Sequence, residues 1–169
     1  MYLRKELGQA IPEPDYGPQI EDNPIQDVKE FEITYRHLPK TQRESLILGR
    51  IGQGAFRSDL EKYWKKCCAV TGCELSKVLI ASHIKPWRSS DNTERLDVYN
   101  GLLLLPNLDS AFDKGYISFD NQGKIMICDS LNERDRNKLG IHSEMKLRKI
   151  EEHHLKYLDY HRQNVFSKL

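Results

Sequence analysis

Long apolar runs are missing from this sequence of 169 residues. No stretch approaches the roughly 20 apolar residues needed to span a bilayer. The opening residues, Met1 to Ala10, are polar and lack the apolar centre of a secretion signal. The sequence therefore reads as a cytoplasmic protein with no membrane partner. A surplus of charge is missing too: 26 Lys+Arg stand against 25 Asp+Glu, a formal net of +1. Global basicity, which marks many nucleic-acid binders, is not what the composition shows. Cysteine is scarce, with only Cys67, Cys68, Cys73 and Cys128, and in the cytoplasm these read as reduced thiols. A chain of this length buries a real core without such staples. Internal repeats and low-complexity tracts are absent as well.

What is present is segregated charge. Residues 1–35 hold 3 basic and 8 acidic side chains, whereas 36–66 hold 8 basic and 3 acidic. The near-zero total is an acidic arm cancelling a basic segment, so only the local pattern informs. Pro12, Pro14, Pro18 and Pro24, with Gly8 and Gly17, lie among those acids. Such a composition cannot bury a core, and residues 1–35 are expected to form an extended arm or linker. Within it, Val28 to Tyr35 alternates loosely enough for a strand.

The remainder, 36–169, reads as one α+β domain. Phe56, Leu60, Tyr63 and Trp64 fall at helical spacing and predict an amphipathic helix over Arg57 to Lys66. Val78 to Ile84 and Gly101 to Leu105 are short apolar runs of strand character, the second closed by Pro106. Asn107 then stands as a cap for a short helix, Leu108 to Lys114, which Gly115 ends. Tyr116 to Phe119 and Lys124 to Cys128 flank Asp120-Asn121-Gln122-Gly123 and predict a hairpin. A last helix is expected at about 150–166.

The chemistry-bearing residues gather where the two predicted strands meet the short helix. Ser82 and His83 end one strand, Asn100 opens the next, and Asp109 and Asp113 lie four apart on the helix. That spacing places both carboxylates on one helix face, where two hard oxygen donors can hold a divalent cation. Histidine, with an ordinary pKa of about 6.5, can deprotonate water. An amide at Asn100 can fix the imidazole or the loop carrying it. One base, one metal and one orienting amide suffice for metal-assisted phosphodiester hydrolysis. Taken alone, each residue also has a plainer role: a histidine in an apolar strand serves packing, and Asp109 suits the positive end of a helix dipole.

The segments CAVTGCELSKVLIASHIKPW and YNGLLLLPNLDSAFDKGYISFD resemble the HNH endonuclease family, in its bacterial restriction-type branch. The resemblance is strong from about Gly52 to Cys128, with a motif core at 67–128, and the ending LKYLDYHRQNVF is also similar. It implies a ββα-metal core, followed here by a hairpin and flanking helices. It implies a DNA endonuclease acting in restriction of foreign DNA. By position, His83 matches the general base and Asn100 the central asparagine. Asp109 matches the final ligand of the motif, and Asp113 a further ligand one turn on. Two departures stand out. The last letter of the motif is Asp rather than His, and two carboxylates favour one Mg²⁺ or Mn²⁺ over Zn²⁺. Ser82 stands where many relatives have an Asp or His ligand, and serine is a weak one. The resemblance further implies 5′-phosphate and 3′-hydroxyl products.

Arg57, Lys65, Lys66, Lys85, Arg88 and Lys114 lie on or beside the elements framing this centre and are candidates for phosphate contacts. The cysteines lack the two pairs of a zinc knuckle, so structural Zn²⁺ is not expected. With no recognisable reader module, specificity would come from a homodimer or a partner protein. The alternative is a catalytically weak nucleic-acid-binding module that keeps the fold but holds metal poorly. A third reading is a structural protein whose His83 and aspartates merely stabilise the core.

Overall fold

A computed structural model of the chain describes residues 40–166; the expected acidic arm and the strand over Val28 to Tyr35 lie outside them. The chain divides into two units, Met1–Ile47 and Leu48–Leu169. The second holds all the elements discussed here apart from the first turns of one helix. Among the described residues, no helix is long and apolar enough to cross a membrane.

Helix α1 (Lys40–Tyr63) begins well before the segment predicted from periodicity and stops three residues earlier. Phe56, Leu60 and Trp64 recur every fourth position and are all buried. Each such side chain contributes about 1.5–3 kcal/mol by leaving water. The helix cannot continue because Lys65 and Lys66 adopt positive φ values of 54° and 56°. Two consecutive left-handed residues reverse the chain toward Cys67 and Cys68. Beyond them, the Ala69 N–H donates to the Leu103 carbonyl (2.7 Å) and ties this turn to the sheet.

Strands β1 (Ile80–His83) and β2 (Gly101–Leu104) pair antiparallel, with His83 opposite Gly101 and Ile80 opposite Leu104. β2 is buried along its whole length. Gly101 is required by close approach: a Cβ there would meet Phe56 and Leu60 at 2.6 Å. Its bareness lets α1 lie directly on the strand end that carries His83.

Helix α2 (Pro106–Asp113) follows β2. Pro106, expected to close the strand, instead occupies the first helical turn, where its missing N–H is no loss. Leu105 is the N-cap, and no side chain caps the helix. Asn107 reaches elsewhere, donating to the Leu139 carbonyl (2.6 Å). Leu108, Ala111 and Phe112 form the buried face. Gly115, at φ 75°, makes the left-handed turn that ends the helix.

The hairpin is β3 (Ile117–Phe119) with β4 (Ile125–Ile127). The Asp120 carboxylate accepts from the N–H groups of Gln122 and Lys124 and shapes the turn. A short helix not anticipated from the pattern, α3 (Glu133–Lys138), is capped by the Asn132 side chain. The last helix, α4 (Glu152–Asn164), carries a capping box between Glu151 and His154. It lies against β3 and the 3₁₀ turn Val98–Asn100, while α2 contacts β1 and β3. The result is an α+β fold, a strand–strand–helix unit braced by flanking helices.

Candidate active site

His83 closes β1 with its ring half-buried. Phe56 of α1 stacks on it at 3.9 Å between centroids, and Trp87 meets it edge-on at 5.4 Å. The third contact is polar, joining Nε2 to the Arg95 carbonyl at 3.0 Å. A carbonyl only accepts, so Nε2 carries the proton and Nδ1 keeps a free lone pair. Desolvation by these rings lowers the His83 pKa; the carbonyl opposes the shift and the Arg95 charge adds to it. At neutral pH the imidazole is therefore uncharged and ready to accept a proton at Nδ1.

Asn100 is completely buried, and its side-chain hydrogen bonds go to the loop rather than to that ring. Its Oδ1 accepts from the Lys85 N–H (2.8 Å), and its Nδ2 donates to the Glu94 carbonyl (3.0 Å). Longer contacts run from Nδ2 to the Ser90 hydroxyl (3.3 Å) and the Lys85 carbonyl (3.4 Å). One amide thus closes the loop 85–94 at both ends. Because residue 95 follows directly, Asn100 also sets the position of the carbonyl that holds His83.

On α2, Asp109 is half-buried and Asp113 exposed. Burial raises the Asp109 carboxyl above its ordinary range, with Ser82 opposing the shift. Asp113 is raised by desolvation, then by Asp109, with Lys114 opposing. Ser82 is buried, and its Oγ has no hydrogen-bond partner. It lies beside Asp109 without making a hydrogen bond to it. Successive strand residues face opposite ways, and here Ser82 turns toward α2 while His83 turns toward α1.

Among the described residues, no three or more His, Cys, Asp or Glu side chains gather as a metal site. Asp109 and Asp113 supply two carboxylates, and their neighbour on β1 is a hydroxyl, Ser82. The oxygens that remain still suit a hard divalent cation: two under-compensated carboxylates and an orphaned buried hydroxyl.

The matching stretch of chain runs through these elements. Residues 68–120 match the family model described as HNH endonuclease. This stretch is similar to an HNH endonuclease domain. It contains β1, the loop fastened by Asn100, β2, α2 and β3. No curated protein matches the chain. A solved structure described as "Modification dependent TagI restriction endonuclease" is similar at 23% identity, with a TM-score of 0.43. That alignment covers 63% of this chain and 36% of the other, so the present chain spans only part of its length.

The basic residues around this HNH-like stretch divide into two groups. Arg57 points inward, donating to the carbonyls of Leu79 (2.9 Å) and Ser76 (3.1 Å) and pairing with Glu61 (2.9 Å). Lys85 is paired with both Glu94 oxygens at 2.6 and 2.8 Å and lies over the Tyr160 ring. These two cations are engaged with the protein itself. Lys65, Lys66, Arg88 and Lys114 are exposed. The cysteines are free thiols, Cys67 and Cys68 buried, Cys73 and Cys128 half-buried. Arg95 and Phe56 escaped notice as neighbours of His83. Phe56 was legible only as a core position, and Arg95 holds the ring through its backbone, which leaves no mark in sequence.

Proposed function

We propose that this chain hydrolyses DNA phosphodiester bonds, with His83 as the general base. The observation that carries the reading is the state of one imidazole: neutral, tautomer-selected by the Arg95 carbonyl, and presenting Nδ1. Nδ1 takes a proton from water and the oxygen attacks phosphorus in line, while the opposite bond to the 3′ oxygen breaks. That oxygen leaves, takes a proton from solvent and ends as the 3′-hydroxyl, with the phosphate on the 5′ side. Asn100 acts on this step from a distance by holding the loop. Asp109 and Asp113, with Ser82 beside them, would hold a divalent cation, Mg²⁺ or Mn²⁺, which supplies charge neutralisation at the phosphate. Lys65, Lys66, Arg88 and Lys114 are the exposed cations suited to backbone phosphates, and binding through them weakens with salt. Restriction of foreign DNA is the setting we infer from the resemblance to the restriction-type branch, with a homodimer or partner supplying specificity.

The hydroxyl at position 82 and the incomplete ligand cluster favour a second reading, a DNA-binding module that cleaves poorly. Plasmid nicking separates the two. Wild-type protein is incubated with Mg²⁺ or Mn²⁺, beside an EDTA control and a His83→Ala variant. Metal-dependent nicking that drops at least about 100-fold in the variant, with DNA binding retained, supports the enzyme. Binding without cleavage in any divalent metal supports the second reading and overturns the first.

A further inference from the structure

Arg95 bears on His83 directly through its backbone carbonyl and indirectly through the Trp87 ring. The carbonyl of Arg95 accepts the Nε2 proton, and its side chain folds back across the loop. There Nε donates to the Trp87 carbonyl (3.0 Å) and Nη1 to Asn92 Oδ1 (3.0 Å). The guanidinium also lies over the Trp87 ring, 5.0 Å from its centroid. That same ring stands edge-on against His83. Asn100 fastens the loop at residues 85 and 94, whereas Arg95 crosses its middle. We propose that Arg95 is a positioning residue for His83: its guanidinium braces the loop so that its own carbonyl selects the Nε2–H tautomer.

This inference rests on the reading of His83 as the base, but its structural half can be measured without cleavage. A planar fork reaches two acceptors at once while stacking on an indole, and lysine cannot copy that geometry. If Arg95 instead served only as a charge for phosphate, lysine would replace it.

The test uses metal-free protein carrying ¹⁵N-labelled histidine, with His83 resonances assigned by loss in His83→Ala. Wild type should show a single His83 tautomer, protonated at Nε2. Arg95→Ala and Arg95→Lys should both show mixed tautomers. With Mn²⁺ and a duplex substrate, kcat should fall about 10- to 100-fold in both variants, the usual scale for a displaced catalytic group. Affinity for DNA should change by no more than about twofold. An unchanged tautomer in Arg95→Ala, full activity in Arg95→Lys, or a loss confined to DNA affinity would each overturn the proposal. If wild type cleaves nothing with any metal, the nuclease reading fails, and the tautomer shift alone decides whether Arg95 positions the ring.

Discussion

Replacing Asn100 by alanine should cost this protein both stability and activity, and the structure sets the scale. The side chain is fully buried, and its two shortest bonds reach the Lys85 N–H at 2.8 Å and the Glu94 carbonyl at 3.0 Å. Deleting the amide leaves both backbone groups without that partner. A buried polar group left unsatisfied costs about 1–3 kcal/mol. The contacts at 3.3 and 3.4 Å add less, because strength declines with distance. The sum is about 2–6 kcal/mol, large against the roughly 5–15 kcal/mol by which domains are stable. Asn100→Asp should be similarly damaging: it removes the donor and aims a carboxylate at the Glu94 and Lys85 carbonyls. Urea unfolding followed by tryptophan fluorescence and by circular dichroism gives the midpoint shift, with an unchanged slope expected. Cleavage should fall as well, since the carbonyl that holds His83 belongs to the residue after Glu94. An Asn100→Ala protein within about 1 kcal/mol of wild type would refute the view that this amide closes the loop.

Two further perturbations test the charges. Burial makes an ionised Asp109 costly, and its charge in turn raises Asp113, so the folded state binds the carboxyl proton more tightly than the unfolded state does. Stability from this group therefore declines as pH rises above the ordinary value of 3.8. Asp109→Asn should stabilise the metal-free protein at pH 7 by a few tenths of a kcal/mol, the scale of a like-charge pair four apart on a helix. The same variant should lose most of the thermal stabilisation that added Mg²⁺ confers on wild type; thermal melts with and without EDTA would show both, and an unaltered Mg²⁺ effect would remove Asp109 from the ligand set. His161 supplies a pH test away from the site. It is buried, stacked on Phe112 at 3.7 Å, with Nδ1 accepting from Ser118 and Nε2 donating to the Phe112 carbonyl. Burial pushes it down to about 4, so the unfolded state binds more protons between that value and 6.5. Stability is full above pH 6.5 and declines as pH falls toward 4, a slope that His161→Gln should flatten in urea titrations.

Legibility followed a clear line through the site. The shared face of Asp109 and Asp113 was readable because a helix repeats its face every three to four residues, and the hairpin because Asp120 and Gly123 carry turn chemistry. Periodicity placed the C-terminal end of α1 too late, since nothing in Trp64-Lys65-Lys66 announces two left-handed residues. It also missed α3, whose six residues contribute no buried side chain and so no apolar stripe.

Residue types and local spacing alone determined the order of the elements apart from α3, and the residues that could do chemistry. They did so because secondary structure answers to neighbours along the chain. The tertiary structure decided how each of those residues is used. It turned Arg57 inward, tied Lys85 to Glu94, made Asn100 a fastener of backbone and left His83 one free lone pair. Most of those partners are main-chain carbonyls and N–H groups, which nearly every residue carries alike. Only their arrangement in space distinguishes the ones that serve the site.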